Sequence, residues 1–175
     1  MRIAIVGSHR VGKTSLAEAL AQALPGHERV PEPYEVLEEQ GEEFADPPSL
    51  EDFESQLECA LQLSQEAGAN AVFDRCPLDI LAYLVVHEDA DGFYLEDWQA
   101  SIREAVATLD LVVYVPIEDP DVVPVPAREL PLRAEADMVV QDLVVADGYG
   151  FGQQTFTVTG TIASRVEQVL ARIRV

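Results

Sequence analysis

One short segment near the start of the chain has the residue types and the spacing of a phosphate-binding loop. Residues 7–14 read Gly-Ser-His-Arg-Val-Gly-Lys-Thr, which satisfies the pattern G-x-x-x-x-G-K-[ST] in full. The glycines let the backbone aim several N–H groups at one point, Lys13 adds a cation, and Thr14 offers a hydroxyl to Mg²⁺. These groups suit the phosphates of a purine nucleoside triphosphate, so ATP is the expected phosphoryl donor.

The basic residues of the chain point to the same loop. Of the 11 lysine and arginine residues, only Lys13 is a lysine, and it lies where an ammonium group would meet the β- and γ-phosphates. A GTPase switch that reads guanine through an Asn-Lys-x-Asp loop is excluded, because that loop needs a second lysine. The residues that we expect to hold the nucleotide are Gly7, Ser8, His9, Arg10, Val11, Gly12, Lys13, Thr14 and Ser15.

Polar side chains also follow two of the expected strands. Asp74 and Arg75 come after the third strand, and Glu32 comes after the second. In an open parallel sheet, ligands collect beyond the carboxyl ends of the strands, so these side chains should face the phosphates. Asp74 can hold Mg²⁺ or take a proton, Arg75 can bind an acceptor group, and Glu32 can act as a base. The alternatives are a helix N-cap for Asp74 and ordinary surface positions for Arg75 and Glu32.

A proline-rich segment lies between the fourth expected strand and the next helix. Residues 118–133 of this segment carry Arg128 and Arg133, whose guanidinium groups would stabilise the transferring phosphoryl group if the segment closed as a lid. In a chain with 32 acidic residues, the two arginines can equally form surface ion pairs. Asp137, in the following helix, is a candidate to orient one of them.

Short apolar runs alternate with helical patterns along the chain. This alternation predicts an α/β fold of three layers, in which helices cover both faces of a parallel sheet, in a single domain of residues 1–175. The predicted strands are 2–6, 29–31, 70–73, 109–115 and 155–159, and the predicted helices are 15–24, 34–40, 50–67, 77–87, 94–108, 132–145 and 162–173.

The composition limits the partners of the protein. A net charge of −21 disfavours nucleic acid, whose binding needs a positive surface. No apolar run approaches the ~20 residues of a membrane-spanning helix, so no membrane partner is expected. Cys59 and Cys76 form no metal-binding or disulfide pattern, and we expect reduced thiols in a cytoplasmic protein. The acidic excess resembles that of proteins from high-salt cytoplasms, in which salt screens self-repulsion.

The order of the motifs resembles that of the P-loop nucleoside and nucleotide kinases over nearly the whole chain. The phosphate-binding loop, called the P-loop below, is followed by Glu-Pro-Tyr at 32–34 and by Asp-Arg-Cys-Pro-Leu-Asp at 74–79. Paired arginines in a lid and Thr-Gly-Thr at 159–161 come later. The deoxynucleoside kinase and nicotinamide riboside kinase-like branches are the most similar.

This resemblance implies a P-loop NTPase fold with a five-stranded parallel sheet and a short lid, and it implies ATP and Mg²⁺ as cofactors. It makes Glu32 the general base and assigns metal and phosphate to Asp74 and Arg75. Asp74 stands where deoxynucleoside kinases usually carry glutamate.

The resemblance also implies contacts with the bases of the two substrates. Gln56, in the third helix, would meet the base of the acceptor, and Gly160 would lie against the adenine of the donor. The residues expected to contact the acceptor are Glu32, Tyr34, Phe53, Gln56 and Arg75, and the expected metal ligands are Thr14 and Asp74.

Two functions of different classes remain open from the sequence. The first is ATP- and Mg²⁺-dependent phosphoryl transfer to a small nucleoside or nucleotide acceptor. The second is a nucleotide-binding P-loop ATPase or regulatory module without such an acceptor. Arginines in a lid favour the kinase, because a passive sensor has no moving phosphoryl group to stabilise. A homodimer is an open alternative for the assembly. The expected catalytic residues are Lys13, Glu32, Asp74, Arg75, Arg128 and Arg133, and Phe44, Phe53, Tyr83 and Trp98 either line an acceptor pocket or pack in the core.

Overall fold

A five-stranded parallel sheet forms the centre of the molecule in the computed structural model, which describes residues 1–121 and 123–173. The strands are β1 (Arg2–Val6), β2 (Glu28–Val30), β3 (Ala71–Asp74), β4 (Leu111–Tyr114) and β5 (Thr155–Thr157). Strand β1 pairs in parallel with β3 on one side and with β4 on the other. The strand order is β2-β3-β1-β4-β5, so the predicted parallel α/β sheet is confirmed.

Helices connect these strands and correspond closely to the predicted ones. The main difference is at the sixth helix, which begins at Leu130 rather than near residue 132. Pro131 lies in the first turn of that helix, where a residue without an N–H group costs no hydrogen bond. The helices are α1 (Lys13–Ala23), α2 (Pro33–Glu39), α3 (Leu50–Glu66), α4 (Pro77–Val86), α5 (Leu95–Ala107), α6 (Leu130–Val144) and α7 (Ile162–Ile173).

The helices form the outer two layers because successive side chains of a strand point to opposite faces of the sheet. Ile3 and Ile5 of β1 pack with buried residues of α1 and α7. Ala4 and Val6 of the same strand pack with α3, α4, α5 and α6. All four side chains are fully buried, so β1 lies at the centre of the core and the loop after it starts from a rigid base.

Within residues 1–121 and 123–173, no helix has the length and apolar character needed to cross a lipid bilayer.

Candidate active site

The P-loop leads from β1 into α1, and its backbone is shaped by glycine. Gly7 has a φ of 151°, and a Cβ atom at this position would clash with the carbonyl oxygen of Val115. Gly12 forms the N-cap of α1 with a φ of 87°, a left-handed conformation that glycine adopts without a steric cost. Arg10, between the two glycines, is also left-handed, with a φ of 59°.

This backbone leaves a row of amide groups available for a ligand. Among the hydrogen bonds of the described residues, none is donated by the backbone amides of residues 10–15. Lys13, only 5% exposed, donates from Nζ to the carbonyl oxygen of Ser8 at 2.5 Å. Burial, followed by the positive charge of Arg75, lowers the pKa of Lys13 to about 7. An anion bound here would meet free amides and would stabilise the charged form of Lys13.

The two residues expected to bind Mg²⁺, Thr14 and Asp74, both carry oxygen atoms that suit this ion. Asp74 is fully buried, and its Oδ2 accepts a hydrogen bond from Arg29 at 2.8 Å, whereas its buried Oδ1 has no partner. Thr14 is exposed on the cleft described below. The described residues contain no cluster of three acidic, histidine or cysteine side chains that could hold a metal alone. Hydroxyl and carboxylate oxygens suit Mg²⁺, which commonly takes its other ligands from water and substrate phosphates.

A cleft of about 840 Å³ lies beside the P-loop and brings most of the predicted site residues together. Its volume is within the range of small-ligand sites. One side is formed by the P-loop, and the other sides come from α2, α3, α4 and the segment that precedes α6. The predicted residues that line the cleft are His9, Arg10, Gly12, Lys13, Thr14, Ser15, Glu32, Tyr34, Phe53, Gln56, Arg75 and Arg128.

Glu32 and Arg75 form an ion pair on the side of the cleft that faces the P-loop. The Nε of Arg75 donates to Oε2 of Glu32 at 2.8 Å. Burial alone would raise the pKa of Glu32, but the charge and hydrogen bond of Arg75, together with the charges of Lys13 and Arg29, hold that pKa below its ordinary value. Arg75 has a left-handed backbone with a φ of 78°. Glu32 is therefore ionised at neutral pH and lies next to a fixed cation.

Aromatic side chains form one wall of the cleft. The rings of Phe53 and Tyr83 stack at 5.3 Å with an angle of 8° between their planes. The hydroxyl of Tyr83 accepts a hydrogen bond from the backbone N–H of His9 at 2.8 Å, which joins this wall to the P-loop. Gln56, only 6% exposed, donates from Nε2 to the backbone oxygen of Asp52 at 3.2 Å.

The other aromatic residues considered in the sequence have different positions. Tyr34 lies at the cleft and stacks on Phe44, with 4.6 Å between the ring centres. Trp98 lies on α5, packs against the core and is not among the residues that line the cleft. Phe44 therefore acts by supporting Tyr34, and Trp98 has the structural role.

The two arginines predicted for the lid have separate surroundings. Arg128 lies on the cleft, largely exposed, with NH2 3.8 Å from a carboxylate oxygen of Asp46. Arg133 lies on α6 rather than in a loop, and it is 1% exposed and absent from the lining of the cleft. Its guanidinium group binds both carboxylate oxygens of Asp121, at 2.9 and 2.6 Å. Among the described residues, Asp137 makes no hydrogen bond to either arginine, and its Oδ2 accepts one from the hydroxyl of Tyr114.

Four more predicted residues lie at the edge of the cleft or beneath it. Gly160 does not line the cleft, and its N–H donates to Glu118 at 2.8 Å in the turn before α7. The Ser8 side chain is buried below the P-loop. Burial, followed by the charges of Arg75 and Lys13, lowers the pKa of His9 to about 4, so this imidazole is neutral at pH 7. The remaining predicted nucleotide-binding residues, Gly7 and Val11, are buried parts of the P-loop backbone.

Asp79 is a site residue that the sequence argument missed. It is fully buried, and its two oxygens accept hydrogen bonds from the backbone N–H groups of Gly7, at 2.8 Å, and Cys76, at 3.0 Å. Asp79 thus joins the start of the P-loop to the start of α4. The available signal was an acidic residue at the third position of a helix that begins with proline.

The two cysteines are buried and unpaired. Burial raises the pKa of Cys76, which is 2% exposed beside Arg75. Its thiol is therefore protonated at neutral pH, and a nucleophilic role next to the site is not supported.

Comparison with known proteins agrees with this geometry. A family model described as an AAA domain matches residues 2–165. The solved structure of deoxyadenosine kinase from M. mycoides, with products dCMP and a flexible dCDP bound, is 19% identical with a TM-score of 0.72, and the match covers 99% of both chains. Shikimate kinase from Aquifex aeolicus is 17% identical with a TM-score of 0.60, over 99% of this chain and 96% of that one.

A third similar structure is that of the NadR protein in complex with NAD and AMP-PNP. It is 16% identical with a TM-score of 0.71, over 99% of this chain but only 49% of that chain. No curated protein matches the chain in sequence. At these identities the structural matches show a shared fold, which confirms the predicted three-layer architecture of the P-loop kinases.

Proposed function

Because this chain belongs to the AAA domain family and has the fold of the P-loop kinases, we propose that it transfers the γ-phosphoryl group of ATP to a small nucleoside- or nucleotide-like acceptor. The observation that carries the proposal is a single cleft in which a P-loop faces an ion pair and an aromatic wall. A triphosphate site alone would need only the first of these parts.

The donor side of the cleft accounts for binding of the triphosphate. The free amides of residues 10–15 and the buried Nζ of Lys13 would hold the phosphate oxygens. Thr14 and the unpaired oxygen of Asp74 are the protein groups that would hold Mg²⁺, directly or through water. Bound Mg²⁺ would neutralise charge on the phosphates and keep them in place for transfer.

The acceptor side of the cleft accounts for the second half of the reaction. Glu32 is ionised and would accept the proton of an attacking hydroxyl, while Arg75 would bind the same hydroxyl or a transferring phosphate oxygen. Phosphoryl transfer proceeds through a loose transition state, so most of the catalysis would come from positioning and charge neutralisation. Arg128, exposed above the cleft, is the residue available to approach the phosphates from the lid side.

A hydroxyl acceptor fits the charges of the cleft better than a phosphate acceptor. Arg75 is engaged by Glu32 at 2.8 Å, and Arg10 is engaged by Glu129 at 2.8 Å. Among the described arginines that line the cleft, Arg128 has the longest carboxylate contact, with 3.8 Å between its NH2 and an oxygen of the exposed Asp46. A phosphate group on the acceptor would bring negative charge next to the carboxylate of Glu32. The arginines nearest to Glu32 already have carboxylate partners, so they would neutralise this added charge poorly. The flat aromatic wall of Phe53 and Tyr83 would suit a planar base, so a nucleoside is the favoured acceptor.

The conditions of this activity follow from the same residues. We expect dependence on Mg²⁺, because the cation would neutralise charge on the phosphates, with Thr14 and the unpaired oxygen of Asp74 as the protein groups beside it. We place the protein in the cytoplasm, where ATP is abundant and buried free thiols remain reduced. A polynucleotide acceptor is disfavoured by the net charge of −21.

The proposal is tested by measuring formation of ADP from ATP with Mg²⁺ and a panel of acceptors: ribonucleosides, deoxynucleosides, nicotinamide riboside and nucleoside monophosphates. We expect one nucleoside to raise turnover at least about tenfold above the rate without acceptor. Lys13→Ala should abolish this turnover, because it removes the cation that would hold the phosphate oxygens. The fold should stay intact, because the Nζ of Lys13 donates to the carbonyl oxygen of Ser8 and forms no ion pair among the described residues. Arg103→Ala, on α5 and away from the cleft, is the control.

Either of two outcomes would contradict the proposal. Undiminished turnover of Lys13→Ala would remove the P-loop from the mechanism. Binding of ATP without stimulation by any member of the panel would favour the alternative, a P-loop ATPase or regulatory module without a small-molecule acceptor.

A further inference from the structure

Two buried arginines hold the backbone of the P-loop from behind. Arg133 of α6 donates from Nε to the carbonyl oxygen of His9 at 2.9 Å. Arg165 of α7 donates from NH1 to the carbonyl oxygen of Val11 at 2.7 Å. The two arginines are 1% and 0% exposed, so neither can reach a ligand in the cleft without a rearrangement.

The two carbonyl groups lie on either side of Arg10, and their direction decides where two amides point. In a trans peptide group, the C=O and the N–H of the next residue point in opposite directions. The peptide bonds after His9 and Val11 are not among the cis bonds of the chain. Because these C=O groups face the buried arginines, the N–H groups of Arg10 and Gly12 face the other way, and neither has a protein acceptor within the described residues.

We propose that Arg133 and Arg165 are positioning residues, which turn the amides of Arg10 and Gly12 toward the phosphates of the bound nucleotide. The proposal rests on the proposed function in one respect, namely that the P-loop binds a triphosphate. It differs from the sequence-based expectation for Arg133, which placed its guanidinium group directly on the transferring phosphoryl group.

The pairing of the two arginines supports this assignment. A buried guanidinium group is tolerated only where carboxylates and acceptors satisfy it. Arg133 is paired with Asp121, and Arg165 is paired with Glu118 at 2.9 Å. Both carboxylates belong to the short segment that follows β4. The position of this segment is therefore linked to the shape of the P-loop.

The link extends to the glycine turn before α7. The carboxylate oxygen of Glu118 that binds Arg165 also accepts the N–H of Gly160 at 2.8 Å. Arg10 has a left-handed φ of 59°. This conformation costs free energy for a residue other than glycine, so neighbouring contacts are needed to stabilise it. The hydrogen bonds of Arg133 and Arg165 to the carbonyls on both sides of Arg10 supply such contacts.

The proposal is tested by the affinity of the protein for MgATP. Arg133→Met and Arg165→Met keep much of the side-chain length and remove the donors, so each should raise the Kd for MgATP about tenfold or more. Arg2→Met is the matched control, because Arg2 also donates to backbone carbonyls, those of Ser64, Ala67 and Gly68, but lies at the opposite end of β1. The control should change the Kd by less than about twofold.

The melting temperature of each protein is measured alongside, since a purely structural arginine would lower stability without changing affinity in the folded protein. An unchanged Kd in Arg133→Met and Arg165→Met would overturn the proposal, whatever the loss of stability. Should either variant fail to fold, Asp121→Asn and Glu118→Gln remove only the charge that holds each guanidinium group, and they should weaken MgATP binding about threefold.

Binding of MgATP by the wild-type protein distinguishes failure of the proposed kinase function from failure of the positioning role of Arg133 and Arg165. If the wild-type protein does not bind MgATP, the proposed function fails first. If wild type binds MgATP and the arginine variants bind it equally well, only the positioning role is refuted.

Discussion

Glu32 is the residue on which the proposed transfer step depends most directly. It ends the turn after β2, lies on the cleft, and is kept ionised by Arg75 at 2.8 Å. The pair is pre-formed, so an acceptor hydroxyl would have to enter beside an existing hydrogen bond. The low pKa makes Glu32 a weak base, which is sufficient for a reaction whose transition state develops little charge on the attacking oxygen.

Replacing Glu32 by glutamine should separate chemistry from binding. Glu32→Gln keeps an oxygen acceptor for Arg75 and removes the base, so kcat should fall about 100-fold while the Kd for MgATP changes by less than about twofold. Glu35→Gln is the control, because Glu35 lies in the first turn of α2, directly after Glu32, but pairs with Arg29 and does not line the cleft. Equal kcat values for Glu32→Gln and wild type would show that Glu32 is not the base of the reaction.

The sequence predicted residues of this site where a local rule applied. The spacing of the P-loop and the position of Glu32 and Arg75 after strands were sufficient, because the carboxyl ends of parallel strands meet at one edge of the sheet. Asp79 and Arg165 could not be found in this way. Their partners are backbone groups 72 and 154 positions away, and no spacing in the sequence encodes such a distance. For Arg165 the usable signal was an arginine on the otherwise apolar face of α7.

At the scale of the elements, the segment before α6 connects the P-loop to the cleft and carries an arginine that faces the cleft. Its beginning is fixed by Glu118 and Asp121, and its last turn carries Arg128 and Glu129. Glu129 binds Arg10 of the P-loop at 2.8 Å. Arg128 faces the cleft through a loose and exposed contact with Asp46. The segment is thus anchored at both ends, and its one cation, Arg128, can change partners at little cost.

Arg128 is expected to contribute to turnover rather than to stability. Arg128→Ala should lower kcat about tenfold and leave the melting temperature nearly unchanged, because its exposed contact with Asp46 at 3.8 Å stabilises the fold very little. Asp46→Ala is the informative partner variant: it removes the same contact but keeps the cation, so its kcat should equal or exceed that of wild type. Similar losses in both variants would show that the contact itself, and not a free Arg128, matters.

The elements also show where pattern reasoning on the sequence is weakest. Strands and helices were predicted within a few residues of their bounds, because alternating apolar runs and amphipathic patterns are local properties. The start of α6 was placed two residues too late, since Pro131 suggested a loop that continues up to residue 132. The predicted lid extended to residue 133 and overlapped the predicted helix, whereas Arg133 lies on α6 and donates to the carbonyl oxygen of His9 in the P-loop.

For the whole molecule, the dominant physical property is its net charge of −21. Six of the 11 basic residues lie on the cleft or beneath the P-loop, and the 32 acidic residues give the molecule as a whole a large excess of carboxylates. Such a surface repels itself in dilute buffer, and the repulsion falls as the Debye length shortens from about 10 Å at 0.1 M salt to about 3 Å at 1 M.

The melting temperature should therefore rise between 0.1 and about 1 M KCl, with most of the gain at the low end where screening changes fastest. Sucrose at matched osmolality is the control, because it stabilises proteins by exclusion without screening charge. The expected result is a larger increase in KCl than in sucrose. Equal increases in both would mean that self-repulsion does not limit the stability of this protein.

The position of Trp98 determines which of these measurements can use intrinsic fluorescence. It is the one tryptophan of the chain, it packs against the core from α5, and it lies away from the cleft. Its emission should therefore shift when the protein unfolds and stay nearly constant when a nucleotide binds. Intrinsic fluorescence thus offers a clean signal for the salt titration, whereas the affinity measurements require a labelled nucleotide or calorimetry.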